Sequence, residues 1–401
     1  MTAAVRPGPP AIVVGQVNAL SVIRSLGRRG VAVTYAGDHH ERFVSSRHAS
    51  WLPMPPGAGT WGERALALLT GPAAAHLDGA VLLPCDDPAA ELLARHGVEL
   101  GTRFRPILSA PEAQLCLLDK LCTYRRAREA EVPTPRFWPV DGRAELEAVR
   151  DELVYPLIVK PHVSIDFQER FGGLKHFSVE DLEGARDAVG RAEEAGLPVM
   201  LVERIVASDS ALRSYYTWID RSGEPRVHFT KRLLRRSPPG MGQATYHVTD
   251  WIPEIRDLGV RLLRSVGLRG VAQVEFMLDP RDGVNKLIEC NVRFTQPNSL
   301  IAAAGIDLPW IAYRDAAGLP AEPAPGGFRE GVRLWDPQKD LRAFRELRAR
   351  GEITLAGWIG SLRPAHLDTL SLSDPLPTLV PLSRALRRRV AGIARRRGPS
   401  G

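Results

Sequence analysis

Short apolar runs alternate with helical stretches over residues 11–100, and this alternation constrains the fold more than any other feature of the chain. "AIVVG", "VAVTYAG" and "AVLLPCDD" have the length and apolar content of buried strands, whereas "ALSVIRSLGRRG" and "PAAELLARHG" have helical spacing. Strand–helix–strand alternation is typical of a parallel, doubly wound sheet. The first part of the chain is therefore predicted to be an α/β domain.

The turn after the first predicted strand argues against one common use of such a domain. It reads Gly15-Gln16-Val17-Asn18 rather than Gly-x-Gly-x-x-Gly. The glycines of that fingerprint allow the backbone to approach a pyrophosphate closely. Because the fingerprint is broken, an NAD-dependent dehydrogenase is disfavoured.

Two predicted β-hairpins lie in the second half of the chain. Residues 213–234 turn at Ser222-Gly223, and residues 271–294 turn at "DPRDG". The apolar runs "PLIVKP" (156–161) and "VMLVERIV" (199–206) read as short strands before them. Antiparallel hairpins after a mixed segment indicate an α+β domain distinct from the first. Residues 320–381 are proline-rich and are expected to wrap around the body.

Length and net charge limit the number of domains and the classes of binding partner. A chain of 401 residues is long enough for two or three domains. The net charge of +7 is matched by the segment 382–397, "LSRALRRRVAGIARRR", which contains seven arginines and no acidic residue. Without that segment the body is close to neutral, so binding of nucleic acid by the core is not expected.

The basic segment leaves two alternatives open. Its apolar residues follow helical spacing: Leu382, Leu386, Val390 and Ile393. A basic amphipathic helix can lie on anionic lipid or dock on a partner protein. The other interpretation is a frayed, charged terminus, which Gly392 favours by weakening a helix.

The cysteines and the hydropathy pattern predict a cytoplasmic protein. Four cysteines occur, at positions 85, 116, 122 and 290, and none forms a Cys-x-x-Cys pair. So few cysteines in a long chain are expected to be reduced thiols. The N-terminal apolar run is too short and too polar for a secretory signal. No run reaches the roughly 18 apolar residues of a membrane span.

The second hairpin carries the polar residues with the clearest chemistry. A strand has a side-chain period of two, so Glu275 shares a face with Gln273, and Glu289 shares a face with Asn291. If the apolar faces coincide, two carboxylates and an amide converge between strands about 4.8 Å apart, where the carboxylates repel unless a cation separates them. Such oxygen ligands suit magnesium held with substrate phosphates. The alternative is a solvated sheet face, which the apolar neighbours in "LIECNVRF" disfavour.

Candidate phosphate-binding cations precede the hairpin. Lys160 ends the apolar strand "LIVKP", where an ammonium is costly without an anionic partner, although it could instead reach solvent from the strand end. Lys120 lies in a helical stretch, where lysines are usually solvated. The turn "FGGLK" (171–175) could lay backbone N–H groups and Lys175 over phosphates, or it could be an ordinary loop.

The order of these motifs resembles the ATP-grasp superfamily. The matching run is Asp119-Lys120, "EVPTP", "IVKP", "FGGLK", "LVERI", "VEFMLD" and "IECNVRF". It is most similar to the branch of predicted ATP-dependent carboligases that includes D-aspartate-ligase-like enzymes, through "SLGRRGVAV", "TKRLLRRSPPGMG" and "AAGIDLPWIAYRDAAG". The resemblance covers most of residues 11–320. It implies a Rossmann-like pre-ATP-grasp domain (1–110), a lobe with a phosphate lid (111–195), a lobe with a metal site (196–320) and a C-terminal extension (321–401).

The resemblance also implies roles for individual residues. Lys120, Lys160 and Lys175 would contact ATP phosphates, and the turn around Gly172 and Gly173 would be a mobile lid. The adenine slot would be lined by Val202, Glu203, Arg204 and Ile205, with Asp209 as a weaker ribose candidate. Magnesium would be bound by Glu275, Glu289 and Asn291. The transferred phosphoryl group or the substrate carboxylate would be steadied by Arg293, Lys231 and Arg232; for the last two, an exposed basic strand is the alternative.

Two positions and one segment depart from the family pattern. Ala207 and Asn18 stand where glycine is common, and the lid sequence "HVSIDFQERFGG" is poor in glycine and serine. The implied activity is ligation. A carboxylate would attack ATP to give an acyl phosphate, which an amine or, as the lesser alternative, a thiol would then capture. The metal would be Mg²⁺ or Mn²⁺, and the partners would be small-molecule acids and amines. The second hypothesis is a non-catalytic ATP-binding scaffold on the same fold.

Overall fold

A parallel five-stranded sheet forms the first unit of the chain, with strands in the order β3-β2-β1-β4-β5. All four residues of β1 are buried, which is expected for a parallel sheet covered by helices on both faces. The predicted doubly wound domain is confirmed. Its elements are β1 (Ala11–Val14), α1 (Ala19–Gly27), β2 (Val33–Gly37), α2 (Glu41–Val44), β3 (Ser50–Pro53), α3 (Trp61–Thr70), β4 (Val81–Pro84), α4 (Asp87–Leu100) and β5 (Arg105–Pro106). The structure is a computed structural model that describes residues 8–16, 18–107, 111–320, 322–367 and 369–384.

An antiparallel four-stranded sheet forms the second unit, in the order β6-β9-β7-β8. Its elements are α5 (Pro111–Leu118), α6 (Lys120–Glu129), β6 (Phe137–Val140), α7 (Arg143–Val149), β7 (Leu157–Pro161), α8 (Ser164–Arg170), β8 (Phe177–Val179), α9 (Leu182–Glu194) and β9 (Val199–Glu203). Leu157 and Val159 of β7 are buried in a core formed with α9. The strand alternation therefore leaves Ile158 and Lys160 on the opposite face.

The third unit is a seven-stranded sheet in the order β14-β13-β10-β11-β12-β15-β16. Both predicted hairpins are confirmed, because β10 pairs antiparallel with β11 and β13 pairs antiparallel with β14. Gly223 has the positive φ of 94° that the first turn requires. The elements are β10 (Leu212–Ile219), β11 (Phe229–Ser237), β12 (Gln243–Thr249), α10 (Pro253–Ser265), β13 (Gly270–Leu278), β14 (Asn285–Asn291), α11 (Asn298–Ala303), α12 (Leu308–Ala316), β15 (Arg333–Trp335), α13 (Pro337–Ala349), α14 (Leu355–Ser361) and β16 (His366–Leu367).

The first and third units share one hydrophobic core. Val13 of β1 and Ile23 of α1 belong to the same buried cluster as Phe229 of β11 and Leu300 of α11. The side-chain amide of Asn18 adds a polar link, since it donates to the Cys85 carbonyl at 2.9 Å and to the Phe294 carbonyl at 3.1 Å. The four-stranded sheet and helices α7–α9 have a separate core of their own. Leu117 of α5 and Ala127 of α6 belong instead to a cluster shared with the third unit.

The residues after 320 extend the third sheet and then return to the first unit. Strands β15 and β16 extend the sheet by two strands beyond β12. Further on, the buried carboxylate of Asp374 pairs with Arg24 of α1 at 2.9 Å and accepts hydrogen bonds from the Ser46 hydroxyl at 2.8 Å and the Arg47 N–H at 3.0 Å. These contacts agree with the expectation that this region wraps around the body.

The junction between α5 and α6 overturns one expectation. Cys116 and Cys122 form a disulfide, with their Cα atoms 5.2 Å apart, so the prediction that all four cysteines are reduced is wrong for this pair. Six residues rise about 9 Å along a continuous helix, which is too far for a disulfide. The extended backbone of Asp119 breaks the helix and brings the two residues together.

The described residues contain no helix long and apolar enough to cross a membrane. Leu382 is exposed. The other three residues of the predicted apolar stripe, Leu386, Val390 and Ile393, lie outside the described residues.

The wrapping contact gives a prediction for stability. We expect Asp374→Ala to lower the free energy of unfolding by about 3–5 kcal/mol, because it leaves the buried Arg24 guanidinium without its carboxylate. Urea unfolding measures the loss. The control Asp187→Ala removes an exposed partner of Arg191 and should cost about 0.5 kcal/mol or less. Equal losses in the two variants would contradict the anchoring role.

The disulfide gives a second prediction. Protein purified without reductant and then denatured should expose two titratable thiols, those of Cys85 and Cys290, and reduction should raise the count to four. Cys85→Ser should lower the unreduced count to one. Four thiols in the unreduced, denatured protein would show that the Cys116–Cys122 bond does not form.

Candidate active site

Two carboxylates face each other across a pair of strands at the centre of the site. Glu275 on β13 lies directly opposite Glu289 on β14, and Gln273 lies opposite Asn291, so all four side chains are on one face of the sheet. Both glutamates are half-buried, and the Gln273 amide donates to Glu275 Oε1 at 2.6 Å. The structure thus brings together the three residues that the sequence predicts as metal ligands.

The two carboxylates have different electrostatic surroundings. Burial raises the pKa of Glu275, and the charge of Glu289 raises it further. Burial also raises the pKa of Glu289, but Lys120, Lys160 and Lys175 together hold it below its ordinary value. A cation between the two groups would favour the ionised form of both.

The donor set fits one type of metal. No group of three or more His, Cys, Asp or Glu side chains with metal-binding geometry occurs among the described residues. The protein therefore offers two carboxylates and one amide oxygen here. Magnesium commonly takes few protein ligands and completes its octahedron with water and substrate phosphate oxygens, so the residues fit that ion.

Lys160 reaches from the second sheet to the third. Its Nζ donates to the Ile288 carbonyl of β14 at 2.7 Å and lies 5.4 Å from the centroid of the Tyr124 ring. Burial lowers the pKa of Lys160 to about 8, although Glu289 acts in the opposite direction. This lysine therefore faces the cleft next to Glu289 rather than bulk solvent, as predicted from its strand.

Lys120 lies at the break between α5 and α6. Asp119 caps α6 by accepting the Cys122 N–H at 2.8 Å, and Lys120 Nζ donates to the Ser164 hydroxyl at 2.5 Å. The lysine is buried and lines a cavity of about 210 Å³ together with Glu289 and Asn291. The helical position predicts a solvated lysine, but the break in the helix turns the side chain inward.

The predicted lid is part helix and part turn. Helix α8 forms the first part and buries Phe167, whereas Gly172 and Gly173 follow with positive φ values of 61° and 88°. Lys175 is exposed, and its charge lowers the pKa of Glu289. The turn is held to the third unit where His176 Nε2 lies 3.2 Å from the Met241 sulfur.

The side chains at the end of β9 and just after it are buried or paired. Val202 and Ile205 are buried, and Arg204 pairs with Glu180 at 3.3 Å. The buried carboxylate of Glu203 accepts a hydrogen bond from the Arg281 guanidinium, which belongs to the β13–β14 turn. Residue spacing does not reveal this partner, because the contact joins residues far apart in the chain.

Asp209 does not match its predicted role. Its carboxylate pairs with Arg236 at 2.9 Å and accepts the N–H groups of Arg236 at 3.0 Å and Gly240 at 3.1 Å. Both oxygens are therefore used to fasten the turn between β11 and β12. The assignment of Asp209 to a ribose is not supported.

Arg293 joins the site to the first unit. Its Nη2 donates to Asn291 Oδ1 at 2.9 Å, and its Nε donates to Asp87 Oδ1 at 2.5 Å. Asp87 is the first residue of α4, just past the carboxyl end of β4. Ligands of α/β sheets bind at the carboxyl ends of the strands, so the "CDD" that follows this strand was an available signal that the sequence prediction missed.

Lys231 and Arg232 lie on opposite faces of the sheet. Lys231 lies opposite Ser214 on the face that carries Glu275, whereas Arg232 lies opposite Arg213 on the other face. Arg232 pairs there with Asp250 at 2.7 Å. The prediction that both residues act at the site is wrong for Arg232, because consecutive strand residues point to opposite faces.

Comparison with known proteins agrees with this arrangement. No family model matches the chain. The D-aspartate ligase of Enterococcus faecium is 26% identical over 248 residues, 59% of this chain and 58% of that protein. A D-alanine–D-alanine ligase of Thermoanaerobacter sp. is 28% identical over 193 residues, 44% of this chain and 51% of that protein. The chain thus spans little more than half the length of these curated relatives.

Solved structures share the fold. The biotin carboxylase domain of the Hydrogenobacter thermophilus 2-oxoglutarate carboxylase, solved with MgADP, ADP and bicarbonate, gives a TM-score of 0.62 at 17% identity over 82% of this chain and 74% of that chain. The L-amino acid ligase of Bacillus licheniformis gives a TM-score of 0.60 at 16% identity, over 79% of this chain and 76% of that chain.

The sheet arrangement and these similarities define an ATP-grasp fold, with a Rossmann-like domain followed by two lobes. By sequence, the chain is similar to a D-aspartate ligase and to D-alanine–D-alanine ligases. The resemblance identified from the sequence motifs is confirmed.

The link between Arg293 and the first unit gives a prediction. In a double-mutant cycle of Asp87→Asn and Arg293→Met, we expect the two effects on unfolding free energy to be non-additive by about 1–3 kcal/mol, because each variant removes the same ion pair. Urea unfolding of the wild type and the three variants measures the coupling. The control cycle combines Arg293→Met with Glu91→Gln, which lies on the same helix as Asp87. The two effects on unfolding free energy should be additive in that cycle. Additive effects for Asp87 would contradict the contact.

Proposed function

We propose that this protein is an ATP-dependent ligase that activates a carboxylate as an acyl phosphate and joins it to an amine. The observation that carries the proposal is the Glu275–Glu289 pair, which has Asn291 beside it and lies within the electrostatic reach of three lysines. Paired carboxylates next to clustered cations are the arrangement that a metal-bound polyphosphate requires.

The metal would be held by Glu275, Glu289 and Asn291. Magnesium is the first candidate, and Mn²⁺, which also prefers oxygen ligands, is the second. When bound, the metal would neutralise charge on the phosphates. The solved MgADP complex named above has the same fold and supports this assignment.

The reaction needs two steps. A carboxylate oxygen of the acid bonds to the γ-phosphorus of ATP as the bond to the bridging oxygen breaks, which releases ADP. The amine nitrogen then bonds to the acyl carbon, phosphate leaves, and the nitrogen loses a proton. Such transfers depend mainly on positioning and charge stabilisation, so no nucleophilic side chain is required.

Residues of this chain would supply that positioning. Lys120 and Lys160 lie beside Glu289 and would hold the phosphates, with Lys175 carried on the lid. The backbone of Val202–Ile205 would line the adenine slot, since Glu203 is engaged by Arg281. Arg293 would steady the transferred phosphoryl group or the substrate carboxylate. Closure of the turn at Gly172 and Gly173 would exclude water, which hydrolyses acyl phosphates.

The relatives support a catalytic role over a scaffold. The curated relatives are named as ligases of amino acids, which favours an amino acid or a similar amine as one substrate. Two facing, half-buried carboxylates are also costly to maintain without a cation that uses them. A protein that consumes ATP is most consistent with the cytoplasm, where the Cys116–Cys122 disulfide would meet a reducing environment.

The test is a matrix of carboxylic acids against amines, scored by magnesium-dependent release of ADP. In an active combination, we expect Glu289→Gln to lower the rate of ADP release by at least about 100-fold, because charge stabilisation of the transferred group is lost. Thermal unfolding confirms that the variant is folded.

The control variant is Glu224→Gln, which changes an exposed carboxylate at the turn between β10 and β11 and should keep wild-type activity. Unchanged ADP release in Glu289→Gln would refute the site. Tight binding of ATP without turnover in every combination would instead favour the scaffold.

A further inference from the structure

Four leucines near the end of the described chain are exposed to solvent. Leu372 is 95% exposed, and Leu376, Leu379 and Leu382 are each about half exposed. Residues 376–384 are helical, so the last three leucines, spaced three residues apart, lie along one side of that helix. We call these four residues the leucine stripe. Single exposed leucines are ordinary on protein surfaces, whereas a contiguous apolar stripe marks an interaction surface.

The leucine stripe is fastened to the first unit by the residues between its members. The buried carboxylate of Asp374 pairs with Arg24 of α1, as described above. The Thr378 hydroxyl donates to the Thr369 carbonyl at 2.7 Å and closes the turn around this anchor. Pro377 is buried, so the helix packs on the body with the side that it occupies. The leucines are thus held in place on the surface while their own side chains face solvent.

Exposed arginines of the first unit lie next to the stripe. Arg28 is exposed, and its Nη2 donates to the Ser371 hydroxyl at 2.7 Å. Arg47 is also exposed, and its backbone N–H contacts the anchoring carboxylate. The nearby carboxylate of Glu41 is paired with Arg384. The surface around the leucines is therefore positively charged.

The sequence beyond the described residues continues the same combination of apolar and basic residues. Between positions 369 and 397 the chain has seven arginines, and its one acidic residue is the buried Asp374. Leu386, Val390 and Ile393 follow Leu382 at helical spacing. A binding partner must therefore offer both an apolar layer and negative charge along this segment.

We propose that the leucine stripe and the arginines around it bind the protein to the surface of an anionic lipid bilayer. The leucines would enter the boundary between headgroups and acyl chains, and the arginines would lie at the level of the lipid phosphates. A bilayer has both required properties, because its surface is a continuous layer of negative charge above an apolar layer. The proposal concerns where the protein is held, so it does not depend on the ligase reaction.

Such attachment should be reversible and sensitive to salt. The screening length between exposed charges falls from about 30 Å at about 0.01 M salt to about 8 Å at about 0.15 M. The attraction of the arginines to the lipid should weaken accordingly. Insertion of the leucines is driven by removal of apolar surface from water and should persist. Added salt should therefore weaken membrane binding without abolishing it.

The test is co-sedimentation of the full-length protein with lipid vesicles. Vesicles of equal parts phosphatidylglycerol and phosphatidylcholine are compared with vesicles of phosphatidylcholine alone. We expect the partition coefficient to be at least about tenfold higher on the anionic vesicles, because each arginine near such a surface strengthens binding about fivefold.

A first pair of variants tests the leucines. The double variant Leu372→Ser, Leu379→Ser should lower the partition coefficient at least about tenfold, because two inserted apolar side chains are lost. Its Tm should not change, since both residues are exposed. The matched control is Val98→Ser, Val206→Ser, which removes two other exposed apolar residues and should keep wild-type binding. Val98 lies on α4, which packs on the opposite face of the first sheet from α1.

A second pair of variants tests the charge. The triple change of residues 387–389 from arginine to glutamine should lower the partition coefficient at least about tenfold. The matched control makes the same change at three exposed arginines of α13, outside the proposed surface, and should leave binding unchanged: Arg342, Arg345 and Arg348.

Several outcomes overturn the proposal. Equal binding to anionic and neutral vesicles would show that the arginines play no part. Unchanged binding in Leu372→Ser, Leu379→Ser would show that the stripe does not enter the lipid and that any adsorption is electrostatic only. Binding to polyglutamate without binding to vesicles would indicate an acidic protein partner instead of a membrane. None of these results bears on magnesium-dependent release of ADP, so the proposed function stands or falls separately.

Discussion

The repulsion between two carboxylates on adjacent strands is the constraint on which the site depends. Glu275 and Glu289 face each other directly, and the sheet cannot move them apart without giving up its pairing. Lysines from the second unit hold Glu289 ionised, while Glu275 is left with less compensation. The nearby groups are arranged around this charge: Lys160 crosses between sheets, Lys120 turns inward at a helix break, and Lys231 is buried where the charge of Glu275 acts on it.

The parts of the fold that could be predicted are those set by local periodicity. Strand–helix alternation gave the parallel sheet, and turn residues gave both hairpins. The period of two along a strand was sufficient to place Glu275, Glu289 and Asn291 on one face, because the apolar residues of the hairpin fix its orientation. The inward position of Lys160 was predictable for a different reason. A cation at the end of a buried strand is unfavourable unless an anionic group lies near it.

Contacts between distant parts of the chain could not be predicted. Arg281 reaches Glu203, and Asp87 reaches Arg293, through folding that brings separate units together. The disulfide depends on a helix break at Asp119 that residue spacing does not reveal. Arg232 is a different case. The period of two along a strand places Lys231 and Arg232 on opposite faces of the sheet, so the sequence already excludes a shared role at the site.

The shared core of the first and third units has a consequence for how the protein opens. Those two units pack as one body, with the amide of Asn18 fixed between carbonyls from each, so sliding between them would disrupt buried apolar contacts. Within the second unit, the four-stranded sheet with α7–α9 has an independent core and touches the third unit through polar bridges such as Lys160 to Ile288 and Arg281 to Glu203. Helices α5 and α6, by contrast, share an apolar cluster with the third unit. Polar bridges exchange readily with water, whereas a common core does not. Nucleotide entry should therefore proceed by a hinge motion of the small antiparallel lobe against a stationary platform.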